Sequence, residues 1–92
     1  MTNSQIAQEL LTLFGENGER WCKGSLGRKD GKPVTFHDLS QADQFCLVGG
    51  MHHLNLNPSL SFWNYFYPSI SQFNDSHSWP DVRSVLLSII ES

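Results

Sequence analysis

RWCKGSLGRKDGK, residues 20–32, is the stretch on which the reading of this chain turns. Arg20, Lys23, Arg28, Lys29 and Lys32 stand there against a single acid, Asp30, giving a local charge of +4 in a chain of formal net charge −3. The rest of the chain sets Arg83 against eight acids. Gly27 and the pair Asp30-Gly31 permit the positive backbone dihedrals that tight turns need. Arg20–Gly24 and Pro33–Phe36 are therefore predicted as the two short strands of a basic β-hairpin. Pro33 has no amide to give to a ladder, so its strand belongs at an edge. Charge segregated in this way implies a surface that seeks an anionic partner. The same lysines also serve a plainer purpose, since cations on an edge strand discourage edge-to-edge aggregation.

Working outward toward the N-terminus, Thr2 and Gln5 stand at capping-box spacing, and Ile6, Leu10, Leu13 and Phe14 follow with the spacing of an amphipathic helix. Gly15 supplies its stop, and Asn17-Gly18 reverses the chain before the basic stretch. On the other side, residues 38–54 (DLSQADQFCLVGGMHHL) are predicted as a central helix, capped by Asp38 with Gln41 or by Ser40 with Asp43. Its two adjacent glycines, Gly49 and Gly50, imply an early helix end or a backbone that another element approaches closely. Trp21 or the later aromatic run would fill that groove. Asn57-Pro58 opens an aromatic helix with Leu60, Trp63 and Tyr67 on one face, and Pro68 breaks it. Residues 69–75 fit strand, short helix or loop equally well. Ser78 with Asp81 opens the C-terminal helix, whose stripe is Val82, Val85, Leu86, Ile89 and Ile90. Together these elements predict a helix-rich α+β fold in one domain spanning 1–92.

Hydrophobic residues make up 39% of the chain and charged ones 16%, a balance that places it among globular and not disordered chains. The beginning, MTNSQIAQELL, lacks the cationic and apolar regions of a secretory signal, and no apolar run is long enough to cross a bilayer. A cytoplasmic location follows as an expectation, and with it reduced, free and buried Cys22 and Cys46.

Catalytic and metal-binding patterns are sparse. Zinc sites show close pairs such as C-x-x-C or H-x-x-x-H, and neither occurs, so no metal or other cofactor is predicted. Cys46 with His52 or His53 is the enzyme alternative, a thiol and a base that would have to meet in space. The apolar surroundings of Cys46 argue against a reactive thiolate. No phosphate-binding or dinucleotide-binding glycine pattern is present. Residues 62–67 (FWNYFY) place aromatic rings all round a helix, so some must leave the core. Trp63 and Tyr65 are the candidates for an exposed apolar anchor, and the same run could support self-association. In the basic stretch, arginine grips phosphate or carboxylate through paired hydrogen bonds, while lysine acts as a mobile point charge. If all five cations met phosphates of one strand, affinity would fall with salt at a log–log slope of about −3.5.

Several fragments form a pattern: Trp21, then Ala42 with Phe45-Cys46-Leu47-Val48-Gly49-Gly50, then Phe73-Asn74-Asp75, then Val82 to Ile90. The pattern resembles a family of small proteins of bacteria and their phages that has no established activity. That family has alanine where this chain has Gly50. Its association with phages implies an accessory protein acting on a host system. Because many standalone phage proteins of this size inhibit CRISPR effectors, the resemblance implies an anti-CRISPR inhibitor as the leading class. Arg20, Lys23, Arg28, Lys29 and Lys32 would then carry the contact, to RNA or DNA within a host nucleoprotein complex or to an acidic protein groove. Asn74-Asp75 is read physically as a turn shaped by bonds from nearby backbone amides.

Overall fold

Thr2 and Gln5 close a reciprocal capping box in the computed structural model, which describes residues 1–92. The Gln5 amide donates to Thr2 Oγ1 at 3.1 Å and the Thr2 amide to Gln5 Oε1 at 2.8 Å, fixing the start of α1 (Asn3–Phe14). The predicted stripe is buried at Ile6, Leu10 and Phe14, with Ala7 completing it. Its main partner is α5 (Trp79–Glu91), which turns Val82, Leu86 and Ile89 inward. Trp79 closes the end of this helix pair, edge-on to Phe14 at 5.6 Å between ring centroids. Ser78 is the N-cap of α5, but its hydroxyl donates to Asp81 instead of receiving a backbone amide.

The hairpin forms around Asp30-Gly31, whose φ values of 52° and 82° are the left-handed pair that a two-residue hairpin turn requires. So tight a turn pairs the residues immediately beside it. The strands are therefore β1 (Gly27–Lys29) and β2 (Lys32–Pro33), with Lys29 opposite Lys32 and Arg28 opposite Pro33. This corrects the expected strand over 20–24, where only Trp21 makes an isolated parallel bridge, to Phe45. Pro33 does lie on the sheet edge, because a third antiparallel strand, β3 (Gln44–Phe45), pairs on the far side of β1.

That third strand interrupts the predicted central helix. Residues 38–54 divide among a 3-10 turn (Phe36–Gln41), β3 and a short α2 (Leu47–His53). The backbone of Phe45 is taken on both sides: its amide donates to the Arg20 carbonyl at 2.7 Å and its carbonyl accepts from the Cys22 amide at 3.0 Å. Ladder bonds at 45 leave no helix there. The predicted caps are absent as well, since Asp43 Oδ2 instead accepts the amide of Asp30 at 3.2 Å. Cys46 caps α2, its sulfur accepting the Gly49 amide at 3.3 Å. Gly49 and Gly50 mark a close approach, but not by the expected aromatics. A Cβ on Gly49 would collide with the Leu26 carbonyl, and one on Gly50 would press on Phe14, Leu10 and Leu13.

The aromatic helix is shorter than predicted and turned differently. It covers α3 (Leu60–Trp63) from an N-cap at Ser59, and the chain then turns away toward Pro68. Phe62 and Phe66 enter the core, whereas Leu60 is 74% and Tyr67 84% exposed. The helical spacing that would have aligned Leu60, Trp63 and Tyr67 stops after Trp63. The ambiguous segment is α4 (Ile70–Ser76).

Asn74, inside α4 and 1% exposed, joins these pieces. Its Oδ1 accepts the Trp21 indole N–H at 2.8 Å and the Leu47 amide at 3.0 Å. Its Nδ2 donates to the Cys22 carbonyl at 3.1 Å and to Asp75 Oδ1 at 3.3 Å. The Asp75 carboxylate in turn receives the Gly24 amide at 2.9 Å. The expected local turn at Asn74-Asp75 is thus a long-range clasp within a helix, holding the approach to the hairpin and the start of α2.

Replacing Asn74 with Ala removes four bonds and strands three of the partners, the Trp21 indole, the Leu47 amide and the Cys22 carbonyl, the exposed Asp75 keeping its bond from Gly24. Each stranded group costs about 1–3 kcal/mol. Urea unfolding is expected to show a loss of about 3 kcal/mol or more; a loss under about 1 kcal/mol would contradict the clasp. Gly49→Ala is expected to be worse tolerated than Gly31→Ala, because Gly31 has open space around it and a change there bears chiefly the strain of its positive φ.

Candidate functional site

The two lysines at the hairpin tip face each other. Lys29 and Lys32 are register partners on either side of the turn and both are exposed. Like charges directly opposite on paired strands repel and weaken the pairing. Arg28, half-buried and leaving the opposite face of β1 from Lys29, donates from Nη1 to the Gly31 carbonyl and from Nη2 to the Lys23 carbonyl, both at 3.3 Å. Lys23 Nζ donates to the His77 carbonyl at 3.4 Å. These acceptors are neutral, so the bonds orient the cations without cancelling their charge. Four of the five predicted cations, Lys23, Arg28, Lys29 and Lys32, thus gather on one loop and hairpin. The carboxylates of Asp30 at the turn and Asp43 beside it moderate the patch.

Arg20 does not join them. Its carbonyl pairs with Phe45 beyond β3, which puts its backbone three strand spacings from β2, about 14 Å across the sheet. Trp63 and Tyr65 lie farther away. Trp63 is half-buried with its indole N–H on the Pro58 carbonyl at 3.3 Å, and the Tyr65 hydroxyl bonds Ser92 Oγ at 3.0 Å. Ser92 follows the end of α5, whereas His77, which holds Lys23, precedes its start. The 13 residues of that helix separate the two places by about 20 Å.

An aromatic side chain that the sequence reading assigned to a strand end lies nearer. Phe36 follows β2 by three residues, sits in the 3-10 turn that packs on β1, and is 55% exposed. It meets His52 edge-on at 5.0 Å and His37 at 6.3 Å, while His53 lies on Phe45 at 4.4 Å. The signal in the sequence was a large apolar residue set among polar ones in Thr35-Phe36-His37-Asp38, where neither helix nor strand periodicity would bury it.

Both cysteines are free and buried. Burial pushes the Cys46 thiol up, the Gly49 N–H partly offsets this, and the Asp75 carboxylate adds to the rise. The sulfur is engaged by its own helix, and His53 packs at a tilt on Phe45. No group of three or more His, Cys, Asp or Glu side chains is placed to hold a metal ion. No helix is long and apolar enough to cross a membrane.

Compared with protein-family models, curated proteins and solved structures, the chain matches none. Trp21, Cys46, Leu47, Asn74 and Asp75 gather at the clasp and not at the cationic tip.

With the thiols buried and held in their protonated form, iodoacetamide at neutral pH is expected to label the native chain at least about tenfold more slowly than the unfolded chain. Labelling of Cys46 at the unfolded rate would restore the thiol–histidine reading.

Proposed function

We propose that the chain is a non-enzymatic accessory protein that binds and occludes a host nucleoprotein complex, seating its hairpin tip on nucleic-acid phosphates. A CRISPR surveillance complex is the leading partner, on the resemblance to small phage-associated proteins. The observation that carries this reading is Lys29 directly opposite Lys32 across a two-residue turn. That arrangement weakens the strand pairing and is relieved by an anion placed between the two ammonium groups. Arg28 supports the reading, because its two carbonyl bonds hold the guanidinium plane while other donors remain for a phosphate oxygen. Phe36 offers a face on which an unpaired base stacks.

The rest of the molecule is acidic and weakens the attraction of the tip for free nucleic acid without cancelling it. A strand held within a protein assembly suits such a body better than naked duplex does. Contact by Lys23, Arg28, Lys29 and Lys32 with a single strand gives a log–log salt slope of about −2.8. Reversing Lys29 and Lys32 to Glu is expected to abolish capture of the complex from host lysate while changing folding stability by no more than about 0.5 kcal/mol. Arg28 is a poorer choice for reversal, since its carbonyl bonds also hold the loop. Undiminished capture by the reversed variant would contradict the proposal. Capture that survives nuclease treatment unchanged would move the contact to an acidic protein groove.

Exposure of Leu60 and Tyr67 favours a second reading, self-association through the aromatic segment. Light scattering separates the two: a dimer abolished by Leu60→Asp supports self-association, and a monomer removes it.

A further inference from the structure

Behind the hairpin, Cys22 and Cys46 lie side by side. The Phe45 amide donates to the Arg20 carbonyl and the Cys22 amide to the Phe45 carbonyl, the bonding of a parallel bridge centred on Trp21 and Phe45. The next residue along each segment is a cysteine. The ladder ends here, because the Cys22 carbonyl and the Leu47 amide both bond Asn74, but the Cys22 amide on the Phe45 carbonyl holds the two cysteines within one strand spacing, about 5 Å, of each other. A disulfide spans Cα separations of about 4.4–6.8 Å, so the pair lies within its range. The thiols also influence one another: burial pushes Cys22 up, and the nearby Cys46 pushes it further.

A route to one member of the pair, Cys46, exists. Cys46 lines a narrow cleft of about 160 Å³ with Gly24, Ser25, Leu26, Ser71 and Asp75. One wall of it, residues 23–26, has no regular strand or helix and is held by the Gly24 amide on Asp75, by Arg28 on the Lys23 carbonyl and by the Cys46 amide on the Leu26 carbonyl. Irregular surface segments open locally at lower cost than the core, without global unfolding.

We propose that Cys22 and Cys46 are a thiol–disulfide exchange pair that reacts with a low-molecular-weight disulfide and closes to an intramolecular disulfide. The Cys46 thiolate attacks one sulfur of the small disulfide; a Cys46–S bond forms, the small S–S bond breaks, and the departing thiolate takes up a proton. The Cys22 thiolate then attacks the Cys46 sulfur, expelling the second small thiolate, which is protonated in turn. Two protein thiols are oxidised to one disulfide, and one small disulfide is reduced to two thiols. Cys46 attacks first because it lines the cleft and Cys22 does not, while the Arg28 guanidinium beside Cys22 favours the thiolate that completes the exchange. Closure ties the start of the basic loop to the start of α2, next to the Lys23 carbonyl that orients Arg28. The inference holds whatever the hairpin binds.

The test incubates the full native chain with excess glutathione disulfide and reads its intact mass after acid quenching. A product lighter by two hydrogen atoms, free of adduct, with Cys22 joined to Cys46 by peptide mapping, is the expected result. Cys22→Ser is expected to stop at a single glutathione adduct. The thermal midpoint of the oxidised wild type is expected to rise by on the order of 10 °C and to return on reduction. A stable double adduct, disulfide-linked dimers, or two unmodified thiols after overnight incubation would overturn the assignment. The wild-type mass decides the matter even if a serine variant fails to fold.

Discussion

The side-chain amide of Asn74 fills its four hydrogen-bonding positions with groups from three separate parts of the chain. Buried in a medium of low polarity, such a network is strong when complete and costly when any member is missing. No buried side-chain nitrogen or oxygen is left without a partner, so the network is complete. Through Trp21 it reaches Trp79 at 6.1 Å and hence the packed pair α1 and α5; through Leu47 it fixes the start of α2; through Cys22 and Asp75 it anchors the strand of chain that enters the hairpin. The sheet itself is small, with strands of two or three residues. Hairpins of that length are not stable alone in water, so the mounting matters more than the ladder.

On that mounting the molecule separates two jobs. The apolar core lies between α1, α5 and the faces of α2 to α4, while the cations project from a loop and turn that contribute little to it. Electrostatics at the tip are arranged against folding, with two ammonium groups in register, and in favour of an external anion. The acidic remainder limits indiscriminate attraction to nucleic acid. Affinity in such a design depends on the partner presenting its charge in a shape that admits a narrow finger.

The sequence was most legible where one periodicity ran uninterrupted. α1 follows from its apolar stripe and capping box, α5 from its apolar stripe and the position of Ser78, and the Asp30-Gly31 turn from residues that tolerate positive φ. Residues 38–54 were misread because their helical spacing is genuine in sequence but overridden by ladder bonds at Phe45, a tertiary effect with no local signature. The two glycines did signal close approach, although not that a carbonyl and the α1 side chains would be what approached. Asn74 looked like a turn former because its partners lie up to 53 residues away. Among the site residues, charge density identified the tip but could not show that Arg20 faces elsewhere, nor that Trp63 and Tyr65 belong to the opposite end of α5 and Phe36 to the near side.

The Cys22–Cys46 pair, the clasp and the hairpin adjoin, so a change in one bears on the orientation of the next, while the function itself rests on the tip. The most direct measurement is a heteronuclear NMR titration of the labelled chain with a short single-stranded oligonucleotide at low salt. The account predicts chemical-shift changes concentrated at residues 23–36 and at His52 and His53, with α1 and α5 undisturbed. Changes centred on residues 60–67, or none at any residue, would contradict it.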